Sequence, residues 1–184
     1  MKKIFCSVLA LMVAVTGSLM LAGCGKKEVP PPVVNEQARQ ALREGVVFLK
    51  QGDPLNAAKN FAAAIKVSPD YFEAYYMLAQ TFINLKQYDQ ALAVLSMTVR
   101  RFPENPVAYY LQAVAHQGAG NLMPAIVAAR KSLDFFQAKK DAQGEQRAKV
   151  FLAALVQLAK KSSEAKMIAD VAENAPKVMQ PQTP

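Results

Sequence analysis

The sequence predicts an all-α chain: a solenoid of three stacked helix-turn-helix repeats followed by C-terminal capping helices. Three observations carry this reading. Pro69 and Pro103 stand 34 residues apart, in "SPD" and "FPEN". Small and large residues recur at matching offsets on either side of those prolines. From Asn35 onward the apolar spacing is helical and stays so.

Residues 1–23 stand apart from the repeats. Lys2-Lys3 precede an apolar run, "IFCSVLALMVAV" and "SLMLA", that ends in small residues. Two readings fit the run: a removable secretory signal and a transmembrane helix, for which Ile4 to Ala22 is about long enough. Thr16-Gly17-Ser18 weakens the second, and no strong aromatic or basic belt closes the far end. The run ends in "LAGC", Leu21 to Cys24, which resembles a bacterial lipobox. The resemblance implies cleavage before Cys24 and a diacylglyceryl group on its thiol, with the new amine a further acylation point. Cys6 would leave with the signal, so the mature chain would hold no free thiol and no disulfide. Its net charge would fall from +8 to +6, because residues 1–23 carry Lys2 and Lys3 and no acid. Acyl chains contribute roughly 0.8 kcal/mol per buried methylene, and two or three of them hold a protein stably at a membrane. Residue 25 is Gly and not Asp. By resemblance to the sorting rule of enteric lipoproteins, this favours the outer membrane, facing the periplasm.

Residues 24–34 read as a tether. Pro30-Pro31-Pro32 favours polyproline II, a stiff spacer of about 3.1 Å per residue. Lys26 and Lys27 are either solvated linker charges or contacts to anionic headgroups.

Residues 35–139 divide into three units when aligned on the prolines: Ala38–Tyr71, Phe72–Asn105 and Pro106–Lys139. A small residue in the first helix of each pair is Gly45, Ala79 and Ala113, with Phe48, Phe82 and His116 three positions later. The second helices carry Ala57, Ala91 and Ala125, then Phe61, Leu95 and Ala129, then Ala64, Thr98 and Ser132. An aromatic near the first-helix start appears as Tyr75 and Tyr109, where the first unit has Ala41. Pro54 and Pro124 sit at second-helix starts, where a missing N–H costs little. This period and these anchors resemble the tetratricopeptide repeat (TPR). One such helix pair cannot bury its own apolar stripe, so about three must stack. The third unit departs from the pattern at His116, Ala129 and Gln137, the last in place of the closing proline, and looser or altered packing is expected there.

Residues 140–174 read as two capping helices. "EQRAKVFLAALVQLAKK", Glu145 to Lys161, places Val150, Phe151, Ala154, Leu155 and Leu158 on one side. A shorter helix, Ser163 to Asn174, would start on Ser162 or Ser163 as N-cap. Residues 175–184, with three prolines, read as a disordered tail.

Enzyme signatures are missing. His116 is the only histidine, which excludes two-histidine metal sites, and it falls on a packing position of the repeat. There is no G-x-S-x-G elbow, P-loop or G-x-G-x-x-G turn. The reading is a non-enzyme with no metal and no cofactor beyond the covalent lipid on Cys24. A basic excess gathers late, from Arg130 to Lys166. It is either a solvated face or a contact to an anionic surface. The compartment implied by Cys24 argues against nucleic acid.

TPR proteins hold peptides on the face lined by the first helix of each pair. The five positions of the family's carboxylate clamp are occupied here by Leu42, Val46, Met77, Val107 and Leu111, so that clamp is absent. The resemblance instead implies an apolar and aromatic groove at Leu42, Val46, Leu49, Tyr76, Gln80, Ile83, Tyr110 and Val114. Tyrosine suits such a surface, with a large apolar face and a polar tip. Its occupant is an apolar or amphipathic segment of an envelope protein, or the chain's own C-terminal part, or a second copy in a dimer. The implied function is a membrane-anchored periplasmic adaptor. Pilotin-like assembly of a pilus or secretion subunit, and peptidoglycan-hydrolase adaptors, are its nearest variants.

Overall fold

The computed structural model describes residues 34–173, which form seven α-helices: α1 (Glu36–Lys50), α2 (Pro54–Val67), α3 (Phe72–Asn84), α4 (Tyr88–Arg101), α5 (Pro106–Gly118), α6 (Leu122–Ala138) and α7 (Ala142–Glu173). The signal segment, Cys24, nearly all of the tether and the tail expected at 175–184 lie outside the described residues. Each helix packs on the next, and α3 also touches α5. No described helix is long and apolar enough to cross a membrane.

Helix starts follow local chemistry. Asn35, Asp53 and Asn105 accept from backbone N–H groups of the first turns of α1, α2 and α5, at 2.8, 3.0 and 3.0 Å for the shortest bonds. Such caps satisfy donors that have no partner within the helix. Pro54 and Pro106 occupy first helical positions, where their fixed φ is already suitable.

Two kinds of turn alternate. Within each pair the first helix ends in a Schellman motif. Asp53 N–H donates to Phe48 C=O, Gln87 to Phe82 and Asn121 to His116, at 2.8–2.9 Å. The residue before each donor has positive φ: Gly52, Lys86 and Gly120 at 78°, 58° and 80°. Between pairs, Ser68 and Phe102 close α2 and α4 just before Pro69 and Pro103, which cannot continue a helix. Arg101 reaches back across these turns to Asp70, at 2.5 Å.

The anchor residues read from the period form the core. Gly45, Ala79 and Ala113 are buried, as are Ala57, Ala91 and Ala125, Phe61, Leu95 and Ala129, and Ala64, Thr98 and Ser132. The two hydroxyls among them are satisfied: Thr98 donates to Val94 C=O and Ser132 to Pro106 C=O, at 2.8 and 2.9 Å. Phe102 adds edge-on contacts to Phe72 and Tyr75, with centroids at 5.3 and 5.7 Å.

The third pair differs from expectation in an instructive way. With Gln137 where the other repeats have proline, α6 runs to Ala138, 17 residues against 14 in α2 and α4. It ends in a fourth Schellman motif, with Lys140 at φ 56° and Asp141 N–H on Phe136 C=O. The added turn places Phe136 in the core beside Leu133 and Ala148. Ala129 leaves no loose region: Leu155 of α7, fully buried, packs with Ala113, Ala125, Ala128 and Ala129.

The expected pair of capping helices is one helix of 32 residues. It starts at Ala142 rather than Glu145, because the Asp141 side chain accepts from Gly144 N–H at 2.9 Å. Ser163 is an interior residue, not an N-cap: its hydroxyl donates back to Lys160 C=O at 2.9 Å. Ser and Thr tolerate helix interiors in this back-bonded state, and no Pro or Gly follows Gly144 in this helix.

Candidate functional site

The face built from α1, α3 and α5 carries the residues expected to line a groove. Leu42, Val46 and Leu49 on α1 and Tyr76 and Ile83 on α3 are half-buried, each with one side against the core of the first two pairs. Gln80, Tyr110 and Val114 are half-buried as well. The Gln80 amide donates to Asn84 along α3, at 3.0 Å. Leu111 and Met77, at two of the clamp positions, are buried and half-buried, and both side chains are uncharged.

The structure brings three of these residues into one depression. Tyr76 and Gln80 of α3 and Tyr110 of α5 surround a hollow of about 130 Å³, whose remaining lining includes Val107, Phe136 and Arg147. It forms where α3 and α5 approach each other and α7 closes the far side. Tyr110 also touches Phe151 of α7, with ring centroids 5.2 Å apart and planes tilted by 49°. A shallower, largely apolar depression continues along α7 past Val150 and Ala154, again bordered by Tyr110 and Arg147. The α1 residues and Ile83 border neither depression, and Val114 does not either.

Four lining residues fall outside the expected groove set: Val107 and Leu111, which stand at clamp positions, and Phe136 and Arg147. Phe136 arrives because α6 gains a turn, and Arg147 because α7 lies beside α5. Gln137 was the available sequence signal for Phe136. For Arg147, only the apolar spacing around Phe151 pointed to a packed α7. Arg147 makes no ion pair among the described residues. The neighbouring acids are engaged. Glu145 pairs with Lys149 at 2.5 Å and accepts from Gln137, which holds its carboxyl below the ordinary range, while Asp141 caps Gly144.

His116 lies elsewhere, in a depression with Gln112, Met123, Val127 and Lys131. Its Nδ1 is buried with no partner, and burial lowers its pKa. Nearby, Tyr109 stacks on Phe135 at 5.3 Å, with the Lys131 ammonium 5.7 Å over the tyrosine ring. Among the described residues, no three His, Cys, Asp or Glu side chains cluster as a metal site.

A family model described as tetratricopeptide repeat matches residues 48–115, from the end of α1 into α5. The fold is a TPR fold. Solved structures share the fold over about two thirds of the chain. The TPR2B domain of yeast Sti1, in a pHsp70 complex, superposes with a TM-score of 0.63 at 18% identity, covering 67% of this chain and 99% of that one. The type III secretion translocator chaperone SycD of Yersinia enterocolitica gives 0.61 at 17%, covering 71% and 98%. PcrH of Pseudomonas aeruginosa gives 0.61 at 20%, covering 66% and 93%. No match to the chain is found among the curated proteins. At these identities the likeness concerns the fold. The family model ends within α5, and the third pair departs from the repeat pattern at His116, Ala129 and Gln137.

Proposed function

We propose that this chain is a lipid-anchored TPR adaptor on the periplasmic side of a bacterial envelope, binding an apolar or amphipathic segment of another envelope protein. The observation that carries the binding role is the α1–α3–α5 face, whose Tyr76 and Tyr110 border a hollow lined by aromatic, aliphatic and a few polar side chains. An aromatic, partly buried surface suits recognition of a segment by shape and apolar contact. The anchor rests on "LAGC" at the end of the apolar run and on the proline-rich spacer after it.

Affinity capture from solubilised membranes tests the binding role. Partners retained by the wild type and lost with Tyr76→Ala/Tyr110→Ala support it, and their identity separates a pilus or secretion client from a peptidoglycan hydrolase. The same partners on both baits would show that the groove is not the binding surface. Cys24→Ser tests the anchor. The variant should remain an unprocessed precursor without incorporated lipid label, and normal processing would end the lipoprotein reading.

A further inference from the structure

We infer that the hollow between α3, α5 and α7 is a two-part socket. It receives one large apolar side chain of the partner segment and pairs Arg147 with an acidic side chain close to it in the same segment. This inference rests on the groove reading and gives it a sequence preference.

Three observations support it. The hollow holds about 130 Å³, close to the roughly 150 Å³ of an engineered apolar cavity that binds benzene, so its size suits a ring or a branched aliphatic side chain. Its walls are apolar or aromatic at Val107, Tyr110 and Phe136, and a side chain entering it would leave water on several sides. The rim carries one cation, Arg147, shared by this hollow and the depression along α7. That guanidinium has no carboxylate partner among the described residues, while Glu145 and Asp141 are occupied elsewhere. A planar guanidinium beside an apolar surface binds carboxylate through paired N–H donors and is less strongly hydrated than an ammonium. The acid would be met by Arg147 of α7 and not by a clamp residue: of the clamp positions, Val107 and Leu111 line the same hollow but carry no charge, and Leu42, Val46 and Met77 are apolar as well.

The probe is a library of short random peptides displayed on phage, selected against the purified full chain, its Arg147→Glu variant and its Tyr76→Ala/Tyr110→Ala variant. Arg147 is exposed and unpaired, and far-UV circular dichroism checks that the charge reversal leaves the helices intact. The wild type should enrich peptides with a large apolar residue within a few positions of Asp or Glu. Against Arg147→Glu those peptides should bind about tenfold more weakly, the scale of one charge-assisted hydrogen bond, with Lys or Arg enriched in place of the acid. If the wild type and Arg147→Glu enrich the same peptides and the tyrosine variant loses them, the socket is wrong and the groove reading stands. If all three proteins enrich the same peptides, or the wild type enriches none, both are wrong. A wild type that enriches none and sediments as a dimer dissociated by Arg147→Glu would make a second copy the occupant, against the proposal.

Discussion

Gly45 lies against the face of Phe61: a Cβ on residue 45 would stand 2.5 Å from Phe61 Cε1. The corresponding pairs in the next repeats are Ala79 with Leu95 and Ala113 with Ala129. Where the second helix carries the largest side chain, the first helix gives up its Cβ. Gly45→Ala alone should therefore destabilise the fold by about 1–3 kcal/mol through overpacking. Combining it with Phe61→Leu reproduces the second repeat's pair and should recover most of the loss. Urea unfolding of the two single variants and the double variant measures this, and strictly additive losses would refute the coupling.

Leu155 occupies the space that a larger residue at 129 would fill. Leu155→Ala should cost about 2–5 kcal/mol, whereas Leu158→Ala, at a side chain 43% exposed, should cost about 1 kcal/mol or less because it leaves no enclosed cavity. Equal effects in denaturant unfolding would mean that α7 does not cap the third pair in this way.

Lys86 occupies the left-handed position that Gly52 and Gly120 hold in the other two repeats. A side chain there costs roughly 1–2 kcal/mol, offset in part by the greater freedom of glycine in the unfolded chain. Lys86→Gly should raise stability by up to about 1 kcal/mol, and Gly52→Ala and Gly120→Ala should lower it. Thermal unfolding of the three variants should show these opposite signs.

His116 introduces a pH dependence. Burial lowers its pKa in the folded chain below the ordinary value of 6.5, so the unfolded chain takes up a proton that the folded chain resists. Its contribution is neutral above that value, and stability falls as pH drops through it. Replacing the imidazole with an uncharged amide, His116→Gln, should flatten that part of the stability profile. An unchanged slope between neutral and mildly acidic pH would place the titration on other groups.

Much of this architecture is readable from residue spacing. In a repeat fold each pair packs mainly on its neighbours, so the same local constraint recurs at a fixed interval and leaves a periodic trace. Gly45, Ala79 and Ala113 could be aligned from the prolines alone, and so could Phe61 and Leu95. The stripe from Leu42 to Val114 came from the same register, but register does not say how far a side chain is open. Leu42 and Val46 lie half against the core, while Tyr76 and Tyr110 border the hollow.

The sequence by itself determined the helical class, the 34-residue period, the anchor positions and the absence of the clamp charges, because each follows from local spacing or residue type. It also supplied the lipobox resemblance at Cys24, a short linear signal that needs no fold to be legible. Only the tertiary structure decided that α6 runs past Gln137, that α7 is a single helix, that Leu155 fills the space beside Ala129 and that Arg147 borders the hollow. These features occur once, at the end of the repeat array. They arise from one helix packing on others, where no second copy of the pattern exists to reveal them.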